Sequence, residues 1–369
     1  MTKLVVISTE FPPGPGGIGH HAYSLCNTLH QKGKEITVLT SADFADAKRV
    51  EVFDQQQLYP VIRFPRNGWR TYLQRLRITH RETRKNRPDY IILTGKFSLW
   101  IGLYLKVFFS GTPTIAILHG SEVNLANRFL RMLTHYSINA ADHIVAVSNF
   151  TASLLPSFIK NKRNIAIIPN GIETNELSTY LRDKNFTLQG EPALLTVGHV
   201  SPRKGQHRVI KALPVILPEY PKAHFHMVGR PIFEPELRLL AKKLGVEGHI
   251  TFHGVASNHS DLAQYYIAAD IFMLLSENQP NGDVEGFGIV ALEANYFGLP
   301  VIGARFCGVE DAVDPGQSGY LVDGDNTNEI SEAIQWCLRN KEELSSQSKV
   351  WAQSHEWTKV VEEYLQIIT

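Results

Sequence analysis

Residues 277–298 read ENQPNGDVEGFGIVALEANYFG and lie between two short apolar runs, DIFMLL at 270–275 and LPVIG at 299–303. Pro280, Asn281, Gly282, Asp283 and Gly286 keep the first half in a loop, whereas Ile289 to Ala294 are compatible with helix. Strand, loop, helix and strand in that order make one unit of a parallel α/β sheet. The loop is expected to deliver Glu285 to the mouth of a helix beginning near Phe287 or Gly288, whose unpaired N–H groups can hold phosphate oxygens. Gly288 lets a ligand approach the backbone, and Ile289 would open the first turn. Glu293 is expected about two turns in, roughly 12 Å along the axis at 1.5 Å per residue. A carboxylate at each end of an anion site suits a ligand with hydroxyls at both ends and a diphosphate in the middle, such as a nucleotide sugar.

The same alternation runs along the whole chain. KLVVIS (3–8), EITVLT (35–40), DYIIL (89–93), TIAIL (114–118) and HIVAV (143–147) read as buried parallel strands with helices between them, the first helix from about Ile18 to Gln31. A polar segment, 173–191, reads as a linker. The pattern then restarts with ALLTVG (193–198), AHFHMV (223–228), HITFH (249–253) and GYLV (319–322). At 369 residues the chain exceeds what one core usually supports. The expectation is α/β throughout: two Rossmann-like domains, 1–172 and 192–352, with parallel sheets facing across a cleft at their strand C-termini. A C-terminal helix in 353–369, apolar at helical spacing, is expected to pack back on the first domain.

Composition narrows the function classes. A net charge of +1 argues against bulk nucleic-acid binding. Three scattered cysteines suit a reducing cytoplasm and offer no zinc spacing. The longest apolar run, 97–109, contains Lys106 and falls short of a bilayer span. The N-terminus opens directly into a strand, so no signal peptide is expected.

Four further motifs sit where strands end. Gly14-Pro-Gly16-Gly17-Ile-Gly19 satisfies the dinucleotide fingerprint in form, but Phe11-Pro12-Pro13 separates it from the strand and no acid closes Val38-Leu39-Thr40. That leaves a structural turn or a phosphate- or acceptor-facing loop. His119-Gly120-Ser121-Glu122 follows the strand 114–118. Gly198-His199-Val200-Ser201-Pro202-Arg203-Lys204-Gly205 follows 193–198, and two adjacent cations framed by Gly and Pro can neutralise a diphosphate. Phe252-His253-Gly254-Val255 ends another strand. Asp283-Val284-Glu285 has the spacing of a metal clamp but no third ligand nearby in sequence, so no metal is expected.

Glu285 and Glu293, separated by seven residues, resemble the EX7E signature of the GT4 family of retaining GT-B glycosyltransferases. The resemblance spans essentially the whole chain. It implies transfer of a hexose from a nucleoside diphosphate sugar with retention, without a cofactor. It gives the donor sugar to Glu285, the ribose to Glu293, and the transferred sugar to His119, which matches the family's H-G-[TS]-[DE] element. Arg203 and Lys204 would meet the diphosphate with the backbone at Phe287, Gly288 and Ile289. Gly16, Gly17, Gly198 and His199 would complete the donor side, Gly254 and Val255 would meet the nucleobase, and Gly19 and Glu122 would lie on the acceptor side. Gly308-Val309-Glu310 resembles a turn near the phosphates, and Pro169-Asn170-Gly171 a hinge. One departure stands out: the family usually has Gly-Arg where this chain has Gly198-His199, so one phosphate cation is missing. Gly282 to Gly288 is similar in wording to mannosyltransferases using GDP-mannose, although UDP-sugar enzymes share much of it.

Residues 66–87 hold eight cations (Arg66, Arg70, Arg75, Arg77, Arg81, Arg84, Lys85 and Arg87) and one acid, Glu82, with Trp69, Tyr72, Leu73, Leu76 and Ile78 interleaved. A basic amphipathic helix of that kind can lie on an anionic membrane, here the inner face of the cell membrane, where a lipid-linked acceptor would be found. Two rival functions fit the same architecture: a sugar-nucleotide epimerase, which needs no acceptor, and a non-catalytic sugar-nucleotide-binding protein.

Overall fold

The computed structural model describes residues 1–14, 16–41, 46–65, 70–177 and 186–368. Residues 66–69 of the expected basic helix and 178–185 of the expected linker lie outside them. The chain forms two compact units, Met1–Gly171 with Trp357–Thr369, and Ile172–Glu356.

The first unit is built on seven parallel strands: β1 (Lys3–Ser8), β2 (Glu35–Ser41), β3 (Val61–Phe64), β4 (Tyr90–Thr94), β5 (Thr114–Leu118), β6 (His143–Ala146) and β7 (Ile165–Ile167), in the order β3-β2-β1-β4-β5-β6-β7. Near-continuous apolar runs are what a sheet covered on both faces requires. Val5, Ile7, Leu39, Leu93 and Ala116 are accordingly core residues. β3 is an edge strand that the apolar pattern misses, because Arg63 interrupts it; the guanidinium lies 2.7 Å from Asp54 and donates to the Ser41 carbonyl. Helices α1 (Gly17–Gln31), α2 (Ala47–Gln55), α3 (Arg70–Asn86), α4 (Lys96–Phe108) and α5 (Arg128–Ala140) follow β1 to β5 in turn. The last helix, Trp357–Ile367, buries Trp357, Val360, Val361 and Tyr364 and packs on α1, with the Trp357 ring 5.0 Å from that of His21.

Helix α3 divides its apolar side chains between the core and the surface, where Tyr72 and Leu73 are exposed. Leu76 and Ile78 pack against the core, and the Arg75 guanidinium stacks 4.6 Å from the Phe97 ring centroid. Its outer face keeps Arg77, Arg81, Arg84 and Lys85. Among the described residues no helix is long and apolar enough to cross a membrane.

The second unit has six parallel strands: β8 (Ala193–Val197), β9 (His224–Val228), β10 (Ile250–Gly254), β11 (Ile271–Leu274), β12 (Val301–Ala304) and β13 (Gly319–Val322), in the order β10-β9-β8-β11-β12-β13. Leu194, Phe225, Met227, Ile271 and Met273 centre its core.

A row of histidines lies within this sheet. His226 Nε2 donates to the Gln189 carbonyl at 2.7 Å, which leaves Nδ1 to accept from His253 Nε2 at 3.0 Å. The His224 ring lies 4.7 Å from that of His226. Burial, more than their neighbours' charge, lowers His224 and His253 to about 4. Bases whose pKa falls on folding stabilise fully above the unfolded value near 6.5, and that stability is lost as pH drops towards 4. The urea midpoint of the chain is therefore expected to fall between pH 6.5 and pH 4.5, and His253→Gln should flatten that dependence. An unchanged slope in the variant would show that carboxylates alone set it.

Candidate functional site

In the second sheet the strand order reverses between β8 and β11, and the loops leaving those strands flank the crevice where open α/β sheets bind ligands. In the loop after β8, Pro202–Lys204 form one turn of 3-10 helix. Both of its cations reach Glu285 in the loop after β11. Lys204 Nζ lies 2.6 Å from Glu285 Oε2, and an Arg203 guanidinium nitrogen bonds the same oxygen. Arg203 Nε also lies 3.3 Å from Asp283, and the Arg203 carbonyl accepts from the Glu277 N–H at 2.8 Å. Lys204 and Glu285 are buried. Burial by itself would raise the Glu285 carboxyl, but Lys204 and then Arg203 hold it below the usual carboxylate range. The site is therefore an ionised carboxylate clamped by two cations.

The helix beside it spans Ile289–Tyr296, with Gly288 as its N-cap at φ +89. It starts later than the sequence suggests, so Glu293 is little more than one turn in, not two. Glu293 accepts a 2.8 Å hydrogen bond from the Tyr266 hydroxyl. Tyr266 comes from the helix His259–Ala268 and is buried with its ring stacked 5.6 Å from Phe297. Phe287 is buried too, so it can offer a ligand only its backbone. Gly308 N–H donates to the Glu285 carbonyl at 2.9 Å, and Asn278 Nδ2 donates to the Phe306 carbonyl at 2.8 Å. Glu310 accepts from the Phe306 N–H, so its carboxylate fixes the loop after β12.

The rim continues over β9 and β10. Gly229 N–H donates to the Gly254 carbonyl at 2.7 Å and Val200 N–H to the Arg230 carbonyl at 2.9 Å, tying the ends of β8, β9 and β10 together. Val255 is exposed just beyond. His199 follows Gly198, and its pKa is lowered by partial burial and then by Arg230, Lys204 and Arg203. Arg230 thus stands near the position whose cation the sequence lacks. Its signal was its place: it follows Gly229 at the end of β9, as His199 follows Gly198 at the end of β8.

In the first unit the order reverses between β1 and β4. The glycine loop after β1 is occupied by a side chain of the chain itself, the Glu10 carboxyl, whose pKa burial raises. The Glu10 carboxylate accepts the Gly19 N–H and fills the space above Gly16, where a Cβ would lie 2.1 Å from Oε2. Gly17 opens α1 just beyond. A phosphate at Gly16 and Gly17 would have to displace that carboxylate. His119 Nε2 lies 2.8 Å from Thr94 Oγ1, and its ring meets His21 edge-on at 4.8 Å. Burial lowers His119 to about 3, so the imidazole is neutral. Glu122 accepts the His119 backbone N–H; burial chiefly raises it, to about 7, against that bond. Glu10 and His21 were not singled out in the sequence, although Glu10 directly precedes the glycine loop.

No group of three or more His, Cys, Asp or Glu is placed to hold a metal ion among the described residues. Two Rossmann-like units, one with two cations and a buried carboxylate at its switch point, make up the architecture of the chain. The family description "Glycosyl transferases group 1" matches residues 179–352 and "Glycosyltransferase Family 4" matches residues 15–176. The chain belongs to this family and is a glycosyltransferase of the GT-B fold. It is 26% identical over 350 residues to the GDP-mannose-dependent alpha-(1-6)-phosphatidylinositol monomannoside mannosyltransferase of Mycobacterium tuberculosis, covering 90% of this chain and 88% of that one. Its fold matches the sucrose-phosphate synthase of Thermosynechococcus elongatus with a TM-score of 0.79 at 20% identity, over 100% of this chain and 98% of that one. It also matches HepE of Anabaena in complex with UDP, with a TM-score of 0.76 at 19% identity, over 100% and 99%.

Proposed function

We propose that the chain transfers a hexose from a nucleoside diphosphate sugar, GDP-mannose ahead of a UDP-sugar, to a glycolipid or glycan hydroxyl with retention of configuration. The observation that carries this reading is the convergence of Arg203 and Lys204 on Glu285 beside the helix that begins at Ile289. A leaving diphosphate held by those cations and by the N–H groups that open the helix at Ile289 is stabilised as its charge develops. Glu285 then positions the hexose and Glu293 the ribose. Arg230 supplies the cation that His199 does not, and the backbone at Gly254 and Val255 meets the nucleobase. His119 serves the transferred sugar. Glu10 and Glu122 suit acceptor hydroxyls, from which carboxylates accept, and the Gly19 N–H holds Glu10 in place. No carboxylate is placed as a nucleophile in this reading. The acceptor attacks on the face that the diphosphate leaves, and the leaving phosphate takes its proton without a metal.

The preference for GDP-mannose and for a glycolipid is supported by the named mannosyltransferase relative. The test is incubation with radiolabelled GDP-mannose or UDP-hexoses and a lipid extract. Label moving from GDP-mannose to lipid supports the reading. Isomerised donor would favour an epimerase, and bound but unchanged donor a binding protein. Within the same reading, Tyr266→Phe should raise the donor KM about tenfold by freeing Glu293, with kcat nearly unchanged. A fall in kcat at constant KM would remove Glu293 from donor binding.

A further inference from the structure

The two units carry opposite charge: residues 1–171 with 357–369 hold 22 lysines and arginines against 12 acids, while 172–356 hold 15 against 24. Such asymmetry between halves points to an anionic partner for the first unit. From residue 90 to residue 171 there are only two acids, Glu122 and Asp142. Glu122 is buried and Asp142 is paired with Lys106.

Within that span α5, RFLRMLTHYSINA, carries an exposed apolar stripe in addition to the side it packs inward. It buries Thr134, Ser137 and Ile138, and Thr134 accepts a 2.9 Å hydrogen bond from Trp100 on α4. Three of its large apolar side chains face outward: Phe129 is 73% exposed, Met132 57% and Tyr136 56%. These three lie at i, i+3 and i+7, a single stripe, and Arg128 and Arg131 run beside them. The Tyr136 ring lies 5.9 Å from that of Phe158, also exposed, which widens the apolar surface beyond the helix.

We propose that the outward face of α5, Phe129, Met132 and Tyr136 with Arg128 and Arg131, seats in the interface of an anionic bilayer. The apolar stripe enters the boundary of the acyl chains, and the arginines reach headgroup phosphates. Helix α3 adds attraction through Arg77, Arg84 and Lys85, although Leu76 and Ile78 are committed to the core and only Tyr72 and Leu73 of its apolar side chains are exposed. A nucleic acid would use the cations but leave Met132 and the apolar stripe unmatched. The inference rests on the glycolipid reading for its purpose, but vesicle binding is measured without turnover, so the two can fail separately.

The test is co-sedimentation of the full chain with vesicles of phosphatidylcholine alone or mixed with phosphatidylglycerol. Binding is expected only to the anionic vesicles and should weaken as salt rises. A Phe129→Ser, Met132→Ser, Tyr136→Ser variant should bind at least tenfold more weakly, while Ile232→Ser with Leu239→Ser, exposed in the second unit, should leave binding unchanged. Should the triple variant misfold, Met132→Cys carrying an environment-sensitive dye gives a second readout, since the three native cysteines are buried. A blue shift on anionic vesicles supports the proposal. Equal binding by the triple variant, no binding to anionic vesicles, or a dimer that the variant abolishes without any vesicle binding would each overturn it.

Discussion

A Glu285→Gln variant is expected to bind free nucleoside diphosphate about tenfold more tightly, yet to turn over nucleotide sugar about 100-fold more slowly. In the structure both cations of the β8 loop are committed to the Glu285 carboxylate. A diphosphate arriving between Arg203 and Lys204 must share them with that negative charge. Glutamine keeps the shape and removes the charge, so the product gains affinity. It also weakens the charge-assisted bond expected to orient the hexose, so turnover falls even as product holds on. Calorimetric titration with GDP and UDP, beside steady-state rates, separates the two effects. Weaker diphosphate binding would show that Glu285 organises the cations rather than competing for them, and full turnover would remove it from the site.

The parts of this site that were legible in the sequence are those whose signal is local. Arg203, Lys204 and Glu285 stand in loops bounded by Gly and Pro directly after apolar runs, so the rule that ligands bind beyond strand C-termini finds them. Strands such as β1 and β5 are legible for a related reason, because burial on both faces demands an unbroken apolar run. β3 is not, since this edge strand is only partly buried and carries Arg63. Tyr266 was invisible because its link to Glu293 crosses 27 residues and two helices that the pattern does not orient. Glu10 was hidden by the glycines next to it: they resemble a phosphate cradle, and nothing local says that the cradle closes on the chain's own carboxylate. Asp283 was weighed only as a metal ligand, whereas its nearest role is to help hold Arg203.

Gly205→Ala should lower the stability of the second unit by about 3 kcal/mol or more, against about 1 kcal/mol for Gly245→Ala. The two glycines have nearly the same backbone, φ +73, ψ 16 and φ +69, ψ 25. Both substitutions therefore carry the same left-handed penalty. They differ in surroundings: a Cβ on Gly245 meets nothing within 4 Å, whereas on Gly205 it falls 1.7 Å from the Leu275 carbonyl oxygen. That oxygen belongs to the backbone leaving β11 and is already bonded to Arg208, so it cannot rotate aside as a side chain would. The β8 and β11 loops must then separate, and the Glu277 N–H to Arg203 carbonyl bond is the first tie in the way. Gly205→Ala should accordingly lose transferase activity even where it remains folded, while Gly245→Ala keeps it. Urea unfolding of both variants beside their rates is the measurement. Equal losses of stability would mean that the loops do not touch as closely as the structure has them. A folded, fully active Gly205→Ala would mean that Arg203 and Lys204 need not be held against Glu285 for turnover.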